Sequence, residues 1–282
     1  MQNIVPLDPV DYLVIGHISC DLTPTGPRLG GTATYAALTG RALGLRTGVV
    51  TAWAGEFPLD ILDGIQVRSA RVEHSTTFEN VYTPQGRHQI IHHAAPDILY
   101  DNVPPIWRLA PIVHIGPIAG EGKSLADGGF SSSMLGLTPQ GWLRSWDADG
   151  HVRIGTWPGA LHALSKANAA VLSIEDVGGD EEQIEEMVNQ CRVLAVTEGA
   201  AGSRLYWNGD LRRFRALQVK EVDPTGAGDI FAAAFFWRLS TTHDPWASAK
   251  FATHLASFSV TRRGLEGIPT REEIQTCLVE VM

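Results

Sequence analysis

The chain has 282 residues, of which 44% are hydrophobic and 19% are charged. This composition is typical of a folded soluble protein with a sizeable core and disfavours an intrinsically disordered chain. Because 31 acidic residues outnumber 22 basic ones, for a formal charge of -9, nucleic acid is disfavoured as a partner. The three cysteines lie far apart, which indicates neither a disulfide framework nor a zinc cluster.

The first residues lack the pattern of a targeting segment. Asp8 and Asp11 stand where a signal peptide would carry positive charge. No window approaches the roughly 18 apolar residues that a membrane-spanning helix needs. We therefore expect a cytoplasmic protein without a membrane partner.

Short apolar runs alternate with helical patterns along the chain. Residues 11–19 have the composition of a strand buried on both faces of a parallel sheet, residues 32–44 form an Ala/Leu-striped helical pattern, and residues 46–55 return to strand. Further strand patterns lie at 110–116, 168–174 and 191–199. This alternation predicts an α/β fold, a three-layer α/β/α sandwich with a mostly parallel central sheet. Because no linker or repeat stands out, we expect a single domain over residues 1–282.

Two segments depart from this alternation. Residues 75–93 contain two β-prone arms around Pro84-Gln85-Gly86, a pattern that predicts a β-hairpin projecting as a flap. Residues 129–159 mix strand residues, glycines and tryptophans. We expect one core strand there, followed by a loop or a small hairpin.

The stretch GPIAGEGKS, residues 116–124, partly matches a phosphate-binding P-loop. A P-loop requires a glycine five positions before Gly122, and that position is Pro117. A proline has no N–H group to offer a phosphate, and Gly116 lies one residue too early. The stretch is therefore interpreted as a loop that leaves a core strand.

A second glycine-rich turn, DPTGAGD at residues 223–229, precedes an apolar helical pattern. Gly226 and Gly228 would let a ligand approach the backbone, and the free N–H groups of a helix start favour an anion. Asp229 falls in the first turn, where a carboxylate can accept a proton from a hydroxyl beside a bound phosphate. The turn thus suits phosphoryl transfer to an alcohol, although the same residues would also suit an ordinary close-packed helix start.

This turn resembles the D-T-x-G-A-G-D signature of the PfkB or ribokinase family of carbohydrate kinases. Other family features follow in the right order along nearly the whole chain. GHISCDL, residues 16–22, is similar to the family's first strand, whose aspartate binds substrate hydroxyls and corresponds to Asp21. Residues 30–56 resemble the family's double-glycine signature. Residues 195–206 resemble the strand and turn that line the nucleotide site, and residues 250–269 resemble the helix and loop that flank the adenine.

The resemblance implies a ribokinase-like fold with a small β-lid, built from elements near residues 21–31 and 75–95. It implies that Asp229 is the catalytic base and that Gly226, Ala227 and Gly228 form an anion hole. The implied acceptor contacts are Asp21, Gly30, Gly31 and Tyr35. The implied nucleotide contacts are Thr197, Gly199, Gly202, Thr225, Ala252 and Ala256.

The chain departs from the family pattern at three places. The segment between Asp21 and Gly30 is too short for the first lid hairpin of many members, which predicts a reduced lid. Tyr35 stands where ribokinase-like members have a substrate-binding asparagine. The N-x-x-E element that organises magnesium is matched only loosely by residues 173–176, so Glu175 and Asp176 are candidate partners of Mg²⁺ through water, with helix capping as the alternative role.

The resemblance implies an enzyme, a carbohydrate kinase that transfers phosphate from ATP to a hydroxyl of a small sugar or polyol. Its cofactors would be ATP and Mg²⁺, with a monovalent cation such as K⁺ as a further candidate, and the chain would be a monomer or homodimer. The changed residue at Tyr35 favours the branch that contains inositol kinases. Two alternatives remain: a nucleoside kinase with Phe78 and Tyr82 stacking on the base, and a non-catalytic sugar or nucleotide sensor on the same fold. The pair His92-His93 is not expected to bind a metal, because adjacent strand residues point to opposite faces.

Overall fold

The predicted parallel strands form one large sheet. In the computed structural model, which describes residues 7–56, 58–83, 86–127, 129–130 and 133–280, this sheet has nine strands in the order β15-β14-β13-β12-β9-β8-β1-β4-β5. Its strands are β1 (Tyr12–Ile15), β4 (Thr47–Ala52), β5 (Gln66–Ala70), β8 (Ile112–Ile115), β9 (Met134–Leu137), β12 (Ala169–Ser173), β13 (Val193–Thr197), β14 (Ser203–Trp207) and β15 (Asp210–Phe214). Neighbouring strands are parallel except for the β13–β14 and β14–β15 pairs.

Helices cover both faces of this sheet. They are α1 (Thr32–Ala42), α2 (Ala160–Lys166), α3 (Glu181–Val188), α4 (Ala227–Thr242), α5 (Pro245–Ser259) and α6 (Arg271–Glu280). One core cluster joins α1, α4 and α5 to the sheet through residues such as Leu38, Phe235 and Phe251. A second cluster joins α2 and α3 to the opposite face through Leu164 and Ile184. The prediction of a three-layer α/β/α sandwich is confirmed.

Four further strands form a separate small sheet, which we call the lid sheet. They are β2 (Ser19–Thr23), β3 (Gly26–Gly30), β6 (Thr76–Thr83) and β7 (Gly86–His93), in the order β3-β2-β6-β7. The predicted hairpin is the antiparallel β6–β7 pair, although Pro84 and Gln85 lie outside the described residues. Strands β2 and β3 lie between β1 and α1 in the chain, and β6 and β7 follow β5.

The expectation that the segment between Asp21 and Gly30 is too short for a lid hairpin is wrong. Strands β2 and β3 pair antiparallel from Ser19 opposite Gly30 to Thr23 opposite Gly26, with only two residues between the last pair. A two-residue loop is the shortest common hairpin connection, and Gly26 adopts a positive φ of 111° there. The short segment therefore still supplies two lid strands.

The region after β9 contains the expected small hairpin. Strands β10 (Arg144–Trp146) and β11 (Val152–Ile154) pair antiparallel. Its turn approaches the lid sheet, because the N–H group of Ile91 donates to the carbonyl oxygen of Gly150 at 2.8 Å. A Cβ at Gly150 would lie 2.3 Å from the oxygen of Ile91, so this approach requires glycine. The hairpin thereby joins the core sandwich to β7.

None of the helices in the described part of the chain is long and apolar enough to cross a membrane.

Candidate active site

A cleft of about 440 Å³ opens between the lid sheet and the carboxyl ends of the central strands. Open parallel sheets place their ligands at this edge. The cleft walls come from β2 and β6 of the lid sheet, from the residues that follow β9, β12 and β13, and from the start of α4. Most of the residues singled out in the sequence line this cleft.

The DPTGAGD turn forms the start of α4. Gly226 precedes the helix with φ 80°, and the carboxylate of Asp223 braces the turn by accepting the N–H groups of Thr225 (3.0 Å) and Gly264 (2.9 Å). Burial opposes ionisation of Asp223, but these hydrogen bonds outweigh it and lower its pKa. The N–H group of Ala227 donates to Pro224 O at 3.2 Å. The other N–H groups of the first turn have no intrahelical acceptor, as at every helix start.

Asp229 lies in the first turn of α4 and lines the cleft. Burial raises the pKa of its carboxyl group from 3.8 to about 6, and the nearby charges of Asp176 and Asp21 add to this shift. A hydrogen bond from Thr32 and the charge of Arg144 act in the opposite direction. Its carboxyl group therefore titrates close to neutral pH in a place that a ligand can reach.

Asp21 faces the same cleft from strand β2. The hydroxyl of Ser19 donates to its Oδ1 at 2.7 Å. A Cβ at Gly30 would lie 2.1 Å from Asp21 Oδ2, and a Cβ at Gly31 would lie 2.6 Å from the carbonyl oxygen of His17. Gly31 lines the cleft, whereas Gly30 lies behind Asp21 and leaves room for its carboxylate. The double glycine therefore lets β3 and α1 pack tightly against the Asp21 strand.

Two aromatic rings border the cleft. Tyr35, on α1, is almost fully buried, and its ring packs against Gly226, where a Cβ would lie only 2.2 Å away. Burial raises the pKa of the Tyr35 hydroxyl, and the charge of Asp229 adds to this. Phe78 of the lid sheet has the guanidinium carbon of Arg144 5.7 Å from its ring centroid. The side chain of Tyr82 lies outside the described residues, so the predicted Phe78–Tyr82 clamp is untested.

All but one of the predicted nucleotide contacts line the cleft. Those that line the cleft are Thr197, Gly199, Gly202, Thr225 and Ala256. Ala252 lies one turn before Ala256 on α5 and is fully buried in the core, so it is not part of the cleft wall. The helical period places both alanines on one face of α5, but only Ala256 lies at the end of the helix that borders the cleft.

The two predicted metal partners also line the cleft, beyond the end of β12. Asp176 accepts the N–H group of Ser173 at 2.8 Å while Ser173 Oγ accepts that of Glu175 at 3.2 Å, so the capping role is present. Burial raises the pKa of Asp176, against hydrogen bonds from Ser173 and Gln140. Carboxylate oxygens are suitable ligands for Mg²⁺, and a cation beside this buried carboxylate would stabilise its charge. The residues present therefore fit a magnesium ion.

Several polar residues of the cleft wall received no role from the sequence, among them three near the end of β9. Thr138 and Gln140 follow the end of β9, and Arg144 begins β10. Polar residues directly after a buried parallel strand are a usable signal, since that edge of the sheet holds ligands. Applied to β9, this signal would have identified Thr138 and Gln140. Arg144 enters the cleft only because the β10–β11 hairpin folds back, which no local pattern indicates.

The interpretation of residues 116–124 as an ordinary loop is confirmed. The loop leads into a short 3-10 helix (Lys123–Asp127) rather than an α-helix. The carboxylate of Glu121 accepts the N–H groups of Ile118 (2.9 Å) and Ala119 (2.8 Å) in the loop and that of His17 (2.9 Å) after β1. A side chain of the protein itself thus occupies the N–H groups of Ile118 and Ala119, so the loop does not offer them to a phosphate.

The adjacent histidines of β7 have separate surroundings. His92 Nε2 lies 2.9 Å from Glu79 Oε2, and the ring of His93 stacks on His74 with the centroids 4.4 Å apart. Within the described ranges, no group of three metal-ligating side chains includes either histidine. This agrees with the opposite orientation of neighbouring strand residues.

Two solved structures share this architecture at low sequence identity. The ribokinase of Arabidopsis thaliana, in a structure with ribose and ATP, has a TM-score of 0.71 and 20% identity and covers 96% of this chain and 99% of that chain. A pyrophosphate-dependent kinase in the ribokinase family has a TM-score of 0.76 and 20% identity and covers 94% of this chain and 99% of that one. The protein thus has a ribokinase-family fold, as predicted.

Sequence comparison finds similarity to one family of kinases. Residues 151–271 match the model of the pfkB family carbohydrate kinases. The inositol 3-kinase of Oryza sativa subsp. japonica is 28% identical over 268 residues, which are 85% of this chain and 66% of that protein. The nucleoside kinase of Methanothermobacter thermautotrophicus is 26% identical over 261 residues, 84% of this chain and 80% of that protein. These similarities point to the pfkB carbohydrate kinases as the family that this chain resembles.

A shorter match is closer in sequence. The inositol 3-kinase of Zea mays is 38% identical over 112 residues, which are 36% of this chain. The chain spans 28% of the length of that protein and 66% of the rice inositol 3-kinase.

Proposed function

We propose that the protein is an ATP- and Mg²⁺-dependent kinase that phosphorylates a hydroxyl group of a small cyclic polyol or sugar. The observation that carries this proposal is Asp229, a carboxyl group with a pKa raised to about 6, at the glycine-rich start of α4. Asp21 lies on the lid side of the same cleft. A base, an anion-binding turn and an acceptor-orienting carboxylate together are what phosphoryl transfer to an alcohol requires.

In this proposal the ionised Asp229 removes the proton from the acceptor hydroxyl. The hydroxyl oxygen forms a bond to the γ-phosphorus as the bond from that phosphorus to the β-phosphate oxygen breaks, and ADP leaves with that electron pair. A base with a pKa near 6 is mostly ionised at neutral pH and still accepts a proton readily as the hydroxyl reacts. The raised pKa is therefore suited to the reaction.

The start of α4 would hold the negative charge of the transferred group. The N–H groups of the first turn and the positive end of the helix dipole favour an anion there. Gly228 supports this assignment, because a Cβ at that position would have no atom within 4 Å and would project into open space. The position thus leaves room that a ligand can use.

Magnesium would be held by Glu175 and Asp176, directly or through water. When bound, the ion would screen the negative charge of the phosphates of ATP and of the two carboxylates. Nucleotide binding is supported by the small and apolar side of the cleft, where Ala256, Val260 and Leu217 form part of the wall. The requirement for a monovalent cation such as K⁺ stays a prediction, as do the single domain over 1–282 and the monomeric or homodimeric state.

A cyclic polyol is the preferred acceptor class. The lid end of the cleft combines the polar side chains of Asp21, Gln89 and Gln140 with the ring of Phe78, and Arg144 adds a positive charge. Such a wall suits a molecule with hydroxyls around its edge and a C–H face. The inositol 3-kinases of maize and rice, similar to this chain, support the same class.

A nucleoside is the second candidate acceptor. The ring of Phe78 is 4% exposed and lines the cleft, which is the feature that would stack on a base. The similarity to an archaeal nucleoside kinase supports it. The guanidinium of Arg144 already faces this ring, which makes the polyol the stronger candidate.

The deciding experiment measures ADP release from ATP and Mg²⁺ with a panel of inositols, pentoses, hexoses and nucleosides. The blank is Asp229→Asn, which keeps the shape of the side chain and removes the base. Turnover with one class of acceptor in the wild type, lost by about 10²–10⁴-fold in the variant, would support the proposal. A parallel set with pyrophosphate in place of ATP tests the other donor found in this fold. Binding of sugar or nucleotide without turnover by either donor would instead indicate a sensor.

A further inference from the structure

A buried row of three polar side chains runs from the centre of the sheet to the cleft. The hydroxyl of Tyr12 lies 2.7 Å from His114 Nδ1, and His114 Nε2 lies 2.9 Å from Thr138 Oγ1. Tyr12 and His114 are 1% and 0% exposed, whereas Thr138 is 7% exposed and lines the cleft. These residues belong to β1, β8 and the segment just after β9, so three adjacent strands contribute to the row.

The surroundings of His114 require a neutral ring. The ring of Phe236 packs edge-on against it with the centroids 4.9 Å apart. Burial lowers the pKa of His114 to about 3, so the imidazole is uncharged at any working pH. One ring nitrogen therefore carries the hydrogen and the other accepts.

The position of that hydrogen follows from Tyr12. Among the described residues, His114 Nδ1 is the one hydrogen-bond partner of the Tyr12 hydroxyl. If Nδ1 carried the hydrogen, the hydroxyl hydrogen of Tyr12 would be buried without an acceptor, which is unfavourable. Tyr12 therefore donates to Nδ1, and Nε2–H donates to Thr138 Oγ1.

Thr138 consequently acts as an acceptor towards the core. In the described part of the chain, its hydroxyl has no partner besides His114. Its own hydrogen must point elsewhere, and the side that remains is the cleft. The hydroxyl thus has a fixed direction and an unused donor before any ligand binds.

Thr138 also lies near the proposed base. A Cβ at Gly116 would lie 2.4 Å from Thr32 Cγ2 and 2.9 Å from Thr138 Oγ1, so both threonines border the same glycine. Thr32 is the residue that donates a hydrogen bond to Asp229. The donor of Thr138 is therefore presented at the Asp229 end of the cleft.

We propose that Thr138 is an acceptor-binding residue that donates its hydroxyl hydrogen to an oxygen of the polyol, and that His114 and Tyr12 are positioning residues that direct it. The inference rests on the proposed function, which it deepens by naming a contact to a non-reacting hydroxyl of the substrate. A fixed donor selects an acceptor with an oxygen at that position over an analogue without one, because the analogue leaves the donor unpaired.

The kinetic test compares Thr138→Val with Thr138→Ser, which retains the hydroxyl. We expect the KM for the acceptor to rise about tenfold in the valine variant, as for one lost hydrogen bond, while the KM for ATP stays unchanged. The serine variant should remain within about twofold of the wild type. With a deoxy analogue that lacks the contacted hydroxyl, the KM of Thr138→Val should be no higher than that of the wild type, because the valine leaves no donor unpaired.

The positioning residues are tested by Tyr12→Phe and by a double variant. Tyr12→Phe lies outside the cleft wall and should raise the acceptor KM without changing the ATP KM. In the Thr138→Val background it should have no further effect on that KM, because it acts through Thr138. If Tyr12 had only a structural role, Tyr12→Phe would lower thermal stability equally in both backgrounds. The ratio of the acceptor KM to the ATP KM would then stay unchanged.

Imidazole ¹⁵N NMR provides a measurement that needs no turnover. We expect His114 to be the neutral Nε2–H tautomer with no titration from about pH 5 to pH 8, far above its lowered pKa. An Nδ1–H tautomer would overturn the inference, as would an unchanged acceptor KM in an active Thr138→Val enzyme. Absence of turnover with every acceptor would count against the proposed function alone, and the NMR result would still decide the direction of the hydrogen-bond row.

Discussion

The ring of Tyr35 occupies the space that a side chain at residue 226 would need. A Cβ built on Gly226 would lie 2.2 Å from two ring atoms, and the backbone there has φ 80°. The two residues are distant in sequence, yet this contact holds α1 against the DPTGAGD turn of α4, which we propose binds an anion. Tyr35, expected as an acceptor contact, therefore also supports the turn.

Gly226→Ala should damage both stability and activity. Its positive φ costs about 1–2 kcal/mol for an L-residue, and the clash with Tyr35 adds to this. Gly44→Ala is the matched control, because Gly44 has φ 85° and no atom within 4 Å of the built Cβ. In urea unfolding, Gly226→Ala should lose clearly more stability than Gly44→Ala. Equal losses would show that the contact with Tyr35 does not contribute to the free energy of unfolding.

Gly228→Ala should separate stability from activity. Its Cβ would meet no atom within 4 Å, and alanine in a helix is about 0.5–1 kcal/mol more favourable than glycine, so the melting temperature should hold or rise. The added methyl group projects into the space proposed for the transferred phosphate. The KM for ATP should therefore rise and kcat should fall. If Gly228→Ala is fully active, the transferred phosphate does not bind at this turn.

The parts of the fold and site that sequence predicted are those with a local pattern. Strands buried on both faces appear as short apolar runs, and the DPTGAGD turn has its glycines and both aspartates within seven residues. Such patterns are enough because each strand or turn is determined by neighbouring residues. They predicted the sandwich and the glycine-rich turn, and most of the site residues named from the sequence, including those implied by the resemblance, line the cleft.

Residues that reach the cleft through long-range packing were not predicted. Arg144 depends on how the β10–β11 hairpin folds back. Ala252, which the resemblance implied as a nucleotide contact, is buried in the core, and a motif match does not give its depth below the cleft. The β2–β3 hairpin was missed because a hairpin with a two-residue loop fits into a very short segment. The pairing of His114 with Thr138 depends on strand order, which no local pattern specifies.

Asp229 should control the pH dependence of the reaction. Since its pKa is raised to about 6 and the base must be ionised, kcat/KM should fall as pH decreases through about 6. The charge of Asp176 raises this pKa and that of Arg144 lowers it. The inflection should therefore move to lower pH in Asp176→Asn and to higher pH in Arg144→Gln. The pH profile of kcat/KM is measured in the wild type and in both variants. If all three share one inflection, Asp229 is not the titrating base.

The same carboxyl group should destabilise the folded state at neutral pH. A folded pKa above the ordinary 3.8 means that the folded state binds the proton more tightly, so stability is greatest at low pH and is lost as pH rises through about 6. Asp229→Asn should therefore be more stable than the wild type by about 3 kcal/mol at pH 7 and nearly equal to it near pH 3.5. Urea unfolding at both pH values checks this. A stability gain that does not depend on pH would point to packing instead of charge.

His114 should have the opposite effect on stability. Burial lowers its pKa to about 3, so the folded state excludes a proton that the unfolded chain binds below its ordinary pKa of 6.5. The contribution of neutral His114 to stability is fully present above about pH 6.5 and is lost as pH falls. The loss reaches about 2 kcal/mol at about pH 5. His114→Gln retains hydrogen-bonding atoms but does not titrate. The stability difference between wild type and variant should therefore shrink by about 2 kcal/mol between pH 7 and pH 5, whereas a constant difference would mean that His114 is protonated in the folded protein.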